Sequence, residues 1–337
     1  MLELPIAKVN QSLLRIAAIP GDYVLTRALR QVSRGAWATL YHGQHPLCRG
    51  RRMSAVGSLW AWQAWRRVIK KPLLVELQTG TKMLCPIWST VAGAWVSVGA
   101  HEFELFFVAD ISRPGDVFVD VGANIGVYAV TAALRGARSL AFEPTAEARA
   151  AIIQNAELNG VSALVSTSEF ALSDYEGQAR FTVGEDCTNR FADSDAAPGL
   201  VVEVKTLDSC LAGLIAPAAG PDLIKIDVEG ADDAVLRGAI STLSTHRPTL
   251  IVEIWAGGRS IRSFLAGFGY SAYAYDVEAK RLRELPRDHS GEGNLIAIHP
   301  DRLASIQGRI QSAPAWPHSR PVSHWRASHS QAPLSGS

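Results

Sequence analysis

Short apolar runs alternate with amphipathic stretches through the middle of the chain. The runs with the length of buried strands lie at 117–121, 139–142, 163–170, 223–227, 249–255, 270–275 and 294–298. The segments between them carry apolar residues at helical spacing and are predicted helices at 127–134, 146–159, 231–244 and 260–268. Strands that alternate with helices of this length predict an α/β fold, with a mostly parallel sheet and helices on both faces.

The ends of the chain differ from this central pattern and suggest three parts. Residues 1–72 are predicted to form a basic, mostly helical extension, and residues 73–300 the α/β domain, which opens with a β-hairpin at 73–88. Residues 301–337 are rich in Pro, Ser, His and Arg, so we expect a largely disordered tail.

Charge is distributed unevenly along the chain. Residues 1–72 hold 12 Lys or Arg and two acidic residues, about +10, although the whole chain has a net charge of +1. A basic segment before an acidic remainder predicts contact with an anionic surface, either peripheral contact with a membrane or contact with a nucleic acid, while a solvated helical face explains the same pattern without a partner. The cluster of Trp60, Trp62 and Trp65 beside Arg66 and Arg67 has the same two interpretations, an interfacial helix or core packing with a basic rim.

Targeting signals are weak in this sequence. The uncharged stretch at 83–100 contains Pro86, Gly93 and Gly99 and lacks the run of strongly apolar residues that a spanning helix needs. The N-terminus does not have the pattern of a secretory signal, and the four cysteines form no CxxC pair. We therefore expect a cytoplasmic protein without a zinc site.

The sequence VFVDVGANIG at 117–126 carries the strongest chemical signal. An apolar strand ends in Asp120, and a turn containing Gly122, Asn124 and Gly126 then opens a helix. Ligands of open parallel sheets bind at the carboxyl ends of strands, where this turn lies. Dinucleotide sites have the spacing G-x-G-x-x-G, which this turn lacks, and Asp120 would repel a pyrophosphate. An aspartate in this place suits the ammonium group of S-adenosylmethionine.

The next two strand ends extend the predicted cofactor site. Glu143-Pro144 follows the second strand, and a carboxylate there can accept hydrogen bonds from both hydroxyls of a ribose. The adenine is expected near Phe170 and Ala171, after the third strand. Phe170 is either a wall of the adenine pocket or an ordinary core residue.

These segments together resemble the FkbM family of methyltransferases. The matching motifs are PGDVFVDVGANIG at 114–126, FEP at 142–144, ALSD at 171–174, TLD at 206–208, DLIKIDVEG at 222–230 and VLRGA at 235–239. The resemblance covers roughly residues 100–255. It implies a class I methyltransferase fold, S-adenosylmethionine as cofactor and O-methylation of a sugar, glycan, lipid or natural-product hydroxyl. Asp232 stands where the family commonly has Glu.

The fourth strand end supplies the predicted catalytic groups. Strand alternation puts Lys225, Asp227 and Glu229 on one side, facing the cofactor crevice. Asp227 is predicted to lie near the transferring methyl group and to contact the cofactor, with Glu229 and Glu253 beside it as base or substrate clamp. A structural Lys225–Glu229 pair is the alternative. These carboxylates also suit Mg²⁺, although no metal is predicted, and His289 is a further candidate base.

Two other classes of function remain as alternatives. An NAD-dependent oxidoreductase would need a third glycine in register at the turn, which is missing. A non-catalytic adenosyl-binding or membrane-associated module would not need the charged fourth strand end. Methyltransferases that act on nucleic acid bases often carry Pro-Pro-Tyr after the acidic or Asn residue here, whereas this chain has Val228-Glu229-Gly230, so no nucleic acid partner is expected.

Overall fold

A computed structural model describes residues 52–89, 92, 95, 103–182, 199–214, 220–254, 258–286, 293–316 and 326–327. The strands of these residues are, in chain order, β1 (Leu73–Glu76), β2 (Lys82–Cys85), β3 (Val117–Val121), β4 (Arg138–Phe142), β5 (Val165–Ser168), β6 (Ala171–Leu172), β7 (Gly177–Phe181), β8 (Leu200–Lys205), β9 (Leu223–Ile226), β10 (Thr249–Ile254), β11 (Ser271–Asp276), β12 (Arg281–Glu284), β13 (Gly293–Ile298) and β14 (Arg326–Ala327). The helices are α1 (Arg52–Val68), α2 (Glu104–Ile111), α3 (Val127–Ala133), α4 (Ala146–Leu158), α5 (Leu207–Leu214), α6 (Asp232–Arg237), α7 (Ile240–His246), α8 (Gly258–Gly267) and α9 (Pro300–Ser312).

The central sheet has eight strands in the spatial order β12-β11-β13-β10-β9-β3-β4-β5. Neighbouring strands from β10 to β5 are parallel, whereas β13 lies antiparallel to both β10 and β11. The chain moves outward from β3 to β5 and then returns to β9 on the other side of β3, which makes a topological switch point between β3 and β9. This is the class I methyltransferase arrangement, so the predicted fold class is confirmed.

Both faces of the sheet are buried, which explains why its central strands are almost continuously apolar. Phe118 packs into a core with α2, α3, α4 and α9, while Val119 and Val121 pack into a second core with α5, α6, α7 and α8. All five residues of β3 are buried. An acidic residue on such a strand is costly unless it has a function or a partner.

The predicted hairpin is present as β1 and β2, and it docks on α4 through two asparagines. Asn155 Oδ1 accepts the backbone N–H of Leu84 at 2.7 Å, and Asn159 Oδ1 accepts that of Lys82 at 2.9 Å. Asn155 Nδ2 also donates to the Ile125 carbonyl at 3.0 Å. The hairpin and the glycine-rich turn are therefore held by the same buried side chain.

The prediction of a single helix at 231–244 is wrong, because this segment divides into α6 and α7 at Gly238-Ala239. A Cβ atom at Gly238 would lie 2.1 Å from the Ser173 carbonyl oxygen, and the Gly238 carbonyl accepts the N–H of Asp208 at 3.0 Å. The segments around Ser173 and Asp208 thus pack where the helix would have continued. The spacing of apolar residues in the sequence does not reveal such a contact.

The tail predicted from residue 301 also needs correction, because α9 continues to Ser312. His299 caps this helix, Ile306 and Ile310 are buried, and Trp316 Nε1 donates to the buried Asp110 carboxylate at 2.9 Å. Two isoleucines one turn apart and one tryptophan are enough to anchor a segment whose composition is otherwise polar. Residues 317–325 and 328–337 lie outside the described residues.

Only the last part of the basic extension falls within the described residues, as α1. Trp62 is buried in the core, as core packing predicts, whereas Trp60 is half exposed, and an interfacial role for it stays a prediction. None of the described helices is long and apolar enough to cross a membrane. Residues 1–51 of the predicted extension and the candidate base His289 lie outside the described residues.

Candidate active site at the switch point

The glycine-rich turn brings the ends of β3 and β9 into contact. Gly122 has a φ of +79°, and a Cβ atom there would lie 1.9 Å from the Asp227 carbonyl oxygen. The Asp227 N–H donates to the Val121 carbonyl at 3.0 Å, which extends the strand pairing past the end of β9. Gly126 has a φ of +86° and packs against Ile152, so the helix can start directly at the turn.

Asp120 is buried at this junction with only part of its hydrogen-bonding capacity used. Its Oδ2 accepts the N–H of Ala129 at 3.0 Å, whereas Oδ1 has no hydrogen-bond partner among the described residues. Burial raises the pKa of Asp120 to about 6, against the opposing effect of the Lys225 ammonium. Asp120 and Lys225 are direct neighbours in the register of β3 and β9. A buried carboxylate oxygen without a partner fits an incoming cation or N–H donor.

Glu143, at the end of β4, is held from both sides. Its Oε1 accepts the N–H and the hydroxyl of Thr145, at 2.9 and 2.7 Å, and its Oε2 accepts the N–H of Asn124 at 3.0 Å. Burial raises the pKa of this carboxyl, and the hydrogen bonds oppose that rise. These contacts fix the carboxylate, and they tie the turn after β3 to the start of α4.

A first cavity lies over the carboxyl ends of β3, β4 and β9. Of the nine predicted cofactor residues, Asp120 and Gly126 do not line this cavity. The other seven do, together with four further residues: Gly122, Asn124, Glu143, Pro144, Phe170, Ala171 and Asp227, with Trp88, Thr145, Phe181 and Glu229. Lys205 Nζ lies 3.8 Å from the centre of the Phe170 ring, and this ring is half-buried against the second core. The structure brings these residues together, and their roles toward a ligand stay predictions.

A second cavity adjoins the first and contains most of the charged groups. The two cavities share Gly122, Asn124, Asp227 and Glu229, and the second is also lined by Asp120, Lys225, Glu253, Tyr128 and Trp95. Lys225 is 2% exposed, and its Nζ lies 2.7 Å from Asp227 Oδ2 and 4.7 Å from the centre of the Tyr128 ring. The structure thus contains a Lys225–Asp227 ion pair.

Three carboxylates converge at the junction of the cavities. Oxygen atoms of Asp227, Glu229 and Glu253 lie within 4.8 Å of one another. Glu229 has a φ of +52°, which is uncommon for a residue with a side chain. The turn is held by Asp232, whose carboxylate accepts the N–H groups of Val228 and Gly230, both at 3.2 Å. Burial raises the pKa of Asp232 to about 6.

Sequence reasoning missed several residues of this site. Tyr128 and Trp95 line the second cavity, and Thr145 holds Glu143. Tyr128 follows Gly126 by two residues, so it had to lie in the first turn of the helix beside the cofactor turn. Thr145 and Trp95 have no comparable signal, because their place depends on contacts between segments.

The fold is that of class I methyltransferases, and carboxylates lie at the carboxyl ends of β3, β4, β9 and β10 around one crevice. Residues 120–272 match the family model described as the methyltransferase FkbM domain. The resemblance to the FkbM family of methyltransferases is thereby confirmed over these residues.

Individual relatives are distant. Two ribosomal protein L11 methyltransferases, from Bacillus pumilus (strain SAFR-032) and Geobacillus kaustophilus (strain HTA426), are 26% and 25% identical over 154 residues. Each match covers 44% of this chain and 44% of the relative, so less than half the length of these proteins is shared. A solved FkbM methyltransferase from Methylobacillus flagellatus KT aligns with 16% identity and a TM-score of 0.36, over 73% of this chain and 60% of that chain.

Proposed function

We propose that this protein is an S-adenosylmethionine-dependent methyltransferase that methylates a hydroxyl of a sugar, glycan, lipid or natural-product acceptor. The observation that carries the proposal is the pair of buried carboxylates on adjacent strands. Asp120 keeps one oxygen without a partner and faces the second cavity, while Glu143 is fixed at the wall of the first cavity. One cofactor with an ammonium at one end and a ribose at the other satisfies both.

The residues of the site fit the two ends of this cofactor. The Asp120 carboxylate would accept hydrogen bonds from the ammonium, for which the unpartnered Oδ1 is available. Glu143 would accept the ribose hydroxyls with the lone pairs left beside its contacts to Thr145 and Asn124. Phe170 and Ala171 would bound the adenine. Position 122 requires glycine, since a Cβ atom there would collide with the Asp227 carbonyl oxygen.

S-adenosylmethionine, when bound, supplies a methyl group already activated by a sulfonium, so the protein has to align and deprotonate the acceptor. The ion pair with Lys225 fixes the orientation of the Asp227 carboxylate, which would hold the acceptor hydroxyl. Glu229 lines both cavities and would take the hydroxyl proton as the oxygen attacks, with Glu253 beside it as a clamp.

A hydroxyl acceptor is supported by the character of this second cavity. Its carboxylates can accept a proton from an alcohol, and the buried side chains of Tyr128 and Trp95 give part of its wall an aromatic lining. An amine acceptor would carry its own positive charge, and the same carboxylates would hold it in the protonated, unreactive form.

The test is methyl transfer from radiolabelled S-adenosylmethionine to a panel of glycosides and lipid or polyketide alcohols, with ribosomal protein L11 as a competing amine acceptor. We expect label on a hydroxyl oxygen, and a loss of about a hundredfold or more in kcat for Glu229→Gln. Glu284→Gln, an exposed carboxylate on β12, is the matched control and should keep full activity. Label on a nitrogen, or full activity in Glu229→Gln, would contradict the proposal.

A further inference from the structure

Helix α1 presents an apolar face outward. Its buried side consists of Ala55, Leu59 and Trp62, which pack into the protein. At 3.6 residues per turn the opposite side carries Met53, Gly57, Trp60, Ala61, Ala64 and Val68, and all six are exposed. Met53 is 85% exposed, Val68 75% and Trp60 52%. Large apolar side chains that are exposed together usually mark an interaction surface.

Positive charge borders this apolar face. Arg67 lies at its edge, and Lys70 and Lys71 follow directly at the end of the helix, where all three are exposed. Lys70 adopts a φ of +54°, and Pro72 prevents the helix from continuing, so the lysines are fixed next to Val68. Between Asp22 and Glu76 the sequence has no acidic residue. No acidic residue close to the face along the sequence would therefore repel an anionic surface.

We propose that the outward face of α1 docks on an anionic lipid bilayer. Apolar residues with a half-exposed tryptophan would enter the boundary between headgroups and acyl chains, and Arg67, Lys70 and Lys71 would contact the phosphate-rich layer. The helix has 17 residues and would lie on the membrane rather than cross it. This surface is independent of methyl transfer, so it can fail or hold without affecting the proposed function.

Co-sedimentation of the full-length protein with phosphatidylcholine vesicles, with and without phosphatidylserine, tests the docking. We expect binding only to the anionic vesicles, and weaker binding at high salt. Trp60→Ser and the double variant Lys70→Gln/Lys71→Gln should each weaken the partition coefficient by about fivefold or more. Ile240→Ser and Arg281→Gln/Arg283→Gln change exposed residues elsewhere on the protein and should leave it unchanged.

Other occupants of the face give different results. If a second copy of the chain covers it, light scattering will show a dimer that Trp60→Ser dissociates, and vesicle binding will be absent. If the N-terminal segment before Arg52 covers it, vesicle binding will also be absent, and Trp60→Ser will leave the protein monomeric. Binding to neutral and anionic vesicles alike, or loss of binding in the Ile240→Ser control, would overturn the proposal as well.

Discussion

Lys225 Nζ lies 2.7 Å from Asp227 Oδ2, and the lysine side chain is 3% exposed. The same lysine is the register partner of Asp120 on the neighbouring strand. One buried cation therefore interacts with two carboxylates: that of Asp120, predicted to hold the cofactor, and that of Asp227, proposed to hold the acceptor hydroxyl. Buried charges of this kind are strongly coupled, and removing one partner is costly.

Lys225→Met should remove the positive charge that Asp120 and Asp227 share. The pKa of Asp120 is raised by burial and lowered by Lys225, with Asp227 and Glu143 adding to the rise. Without the lysine this pKa climbs further, so we expect the affinity for S-adenosylmethionine at neutral pH to fall by about tenfold or more and to recover partly at higher pH. Calorimetry across a pH series measures this effect.

Lys280→Met is the matched control for this variant, because the partly buried Lys280 forms an ion pair with the fully buried Asp110 outside the site, also at 2.7 Å. It should cost stability without changing the pH dependence of cofactor binding. An identical pH profile in the wild type and Lys225→Met would show that the lysine has no part in setting the charge of Asp120.

Asp120 should make the free energy of unfolding depend on pH. Its folded pKa of about 6 lies above the ordinary value of 3.8, so the folded state binds the proton more tightly. The contribution of this group is therefore stabilising at low pH and is lost as the pH rises from about 4 to about 6. Two pKa units correspond to about 3 kcal/mol.

Denaturant unfolding of the wild type and of Asp120→Asn over this pH range isolates that contribution. The variant should gain on the wild type by up to about 3 kcal/mol as the pH increases. The exposed-site variant Glu284→Gln should follow the wild type closely. A constant difference between wild type and Asp120→Asn would mean that Asp120 titrates in the folded state as it does in the unfolded chain.

Gly122→Ala should disrupt the turn by collision rather than by backbone strain alone. Its φ of +79° is close to the +83° of Gly80, but a Cβ atom at Gly80 meets nothing within 4 Å, whereas one at Gly122 would lie 1.9 Å from the Asp227 carbonyl oxygen. We expect Gly80→Ala to cost about 1 kcal/mol and Gly122→Ala several times more, with loss of cofactor binding. Equal melting temperatures for the two variants would argue against this tight packing.

Methyl transfer should not require a divalent cation. The oxygen atoms of Asp227, Glu229 and Glu253 are close enough to form a metal site, but the Lys225 ammonium already places a positive charge beside Asp227. We expect full activity after treatment with EDTA and no stimulation by Mg²⁺. A loss of activity that Mg²⁺ restores would assign the three carboxylates to a metal instead.

The sequence was most informative where a strand is buried on both faces. Such strands are almost continuously apolar, so the ends of β3 and β9, and with them Asp120 and Asp227, could be located without a structure. Alternation along β9 also predicted that Lys225 and Asp227 share a side. It did not predict which carboxylate the lysine binds, because the backbone leaves strand geometry after Ile226 and Glu229 turns into a left-handed conformation.

Features that depend on contacts distant in sequence could not be predicted. The break between α6 and α7 follows from the packing of Gly238 against Ser173, and α9 is anchored partly by a hydrogen bond from Trp316 to Asp110 across 206 positions of the chain. Local composition made the C-terminal segment look disordered, since a few well-placed apolar residues were outnumbered by polar ones. The same limit hid Thr145 and Trp95 from the predicted site.

The crevice at the switch point between β3 and β9 is proposed to hold S-adenosylmethionine through Asp120 and Glu143. Titration calorimetry with S-adenosylmethionine, S-adenosylhomocysteine and NAD, on the wild type and on Glu143→Gln, tests it most directly. We predict binding of both adenosyl compounds and not of NAD, with an affinity at least about tenfold weaker in Glu143→Gln. Binding of NAD alone, or an unchanged affinity for S-adenosylmethionine in Glu143→Gln, would contradict the account.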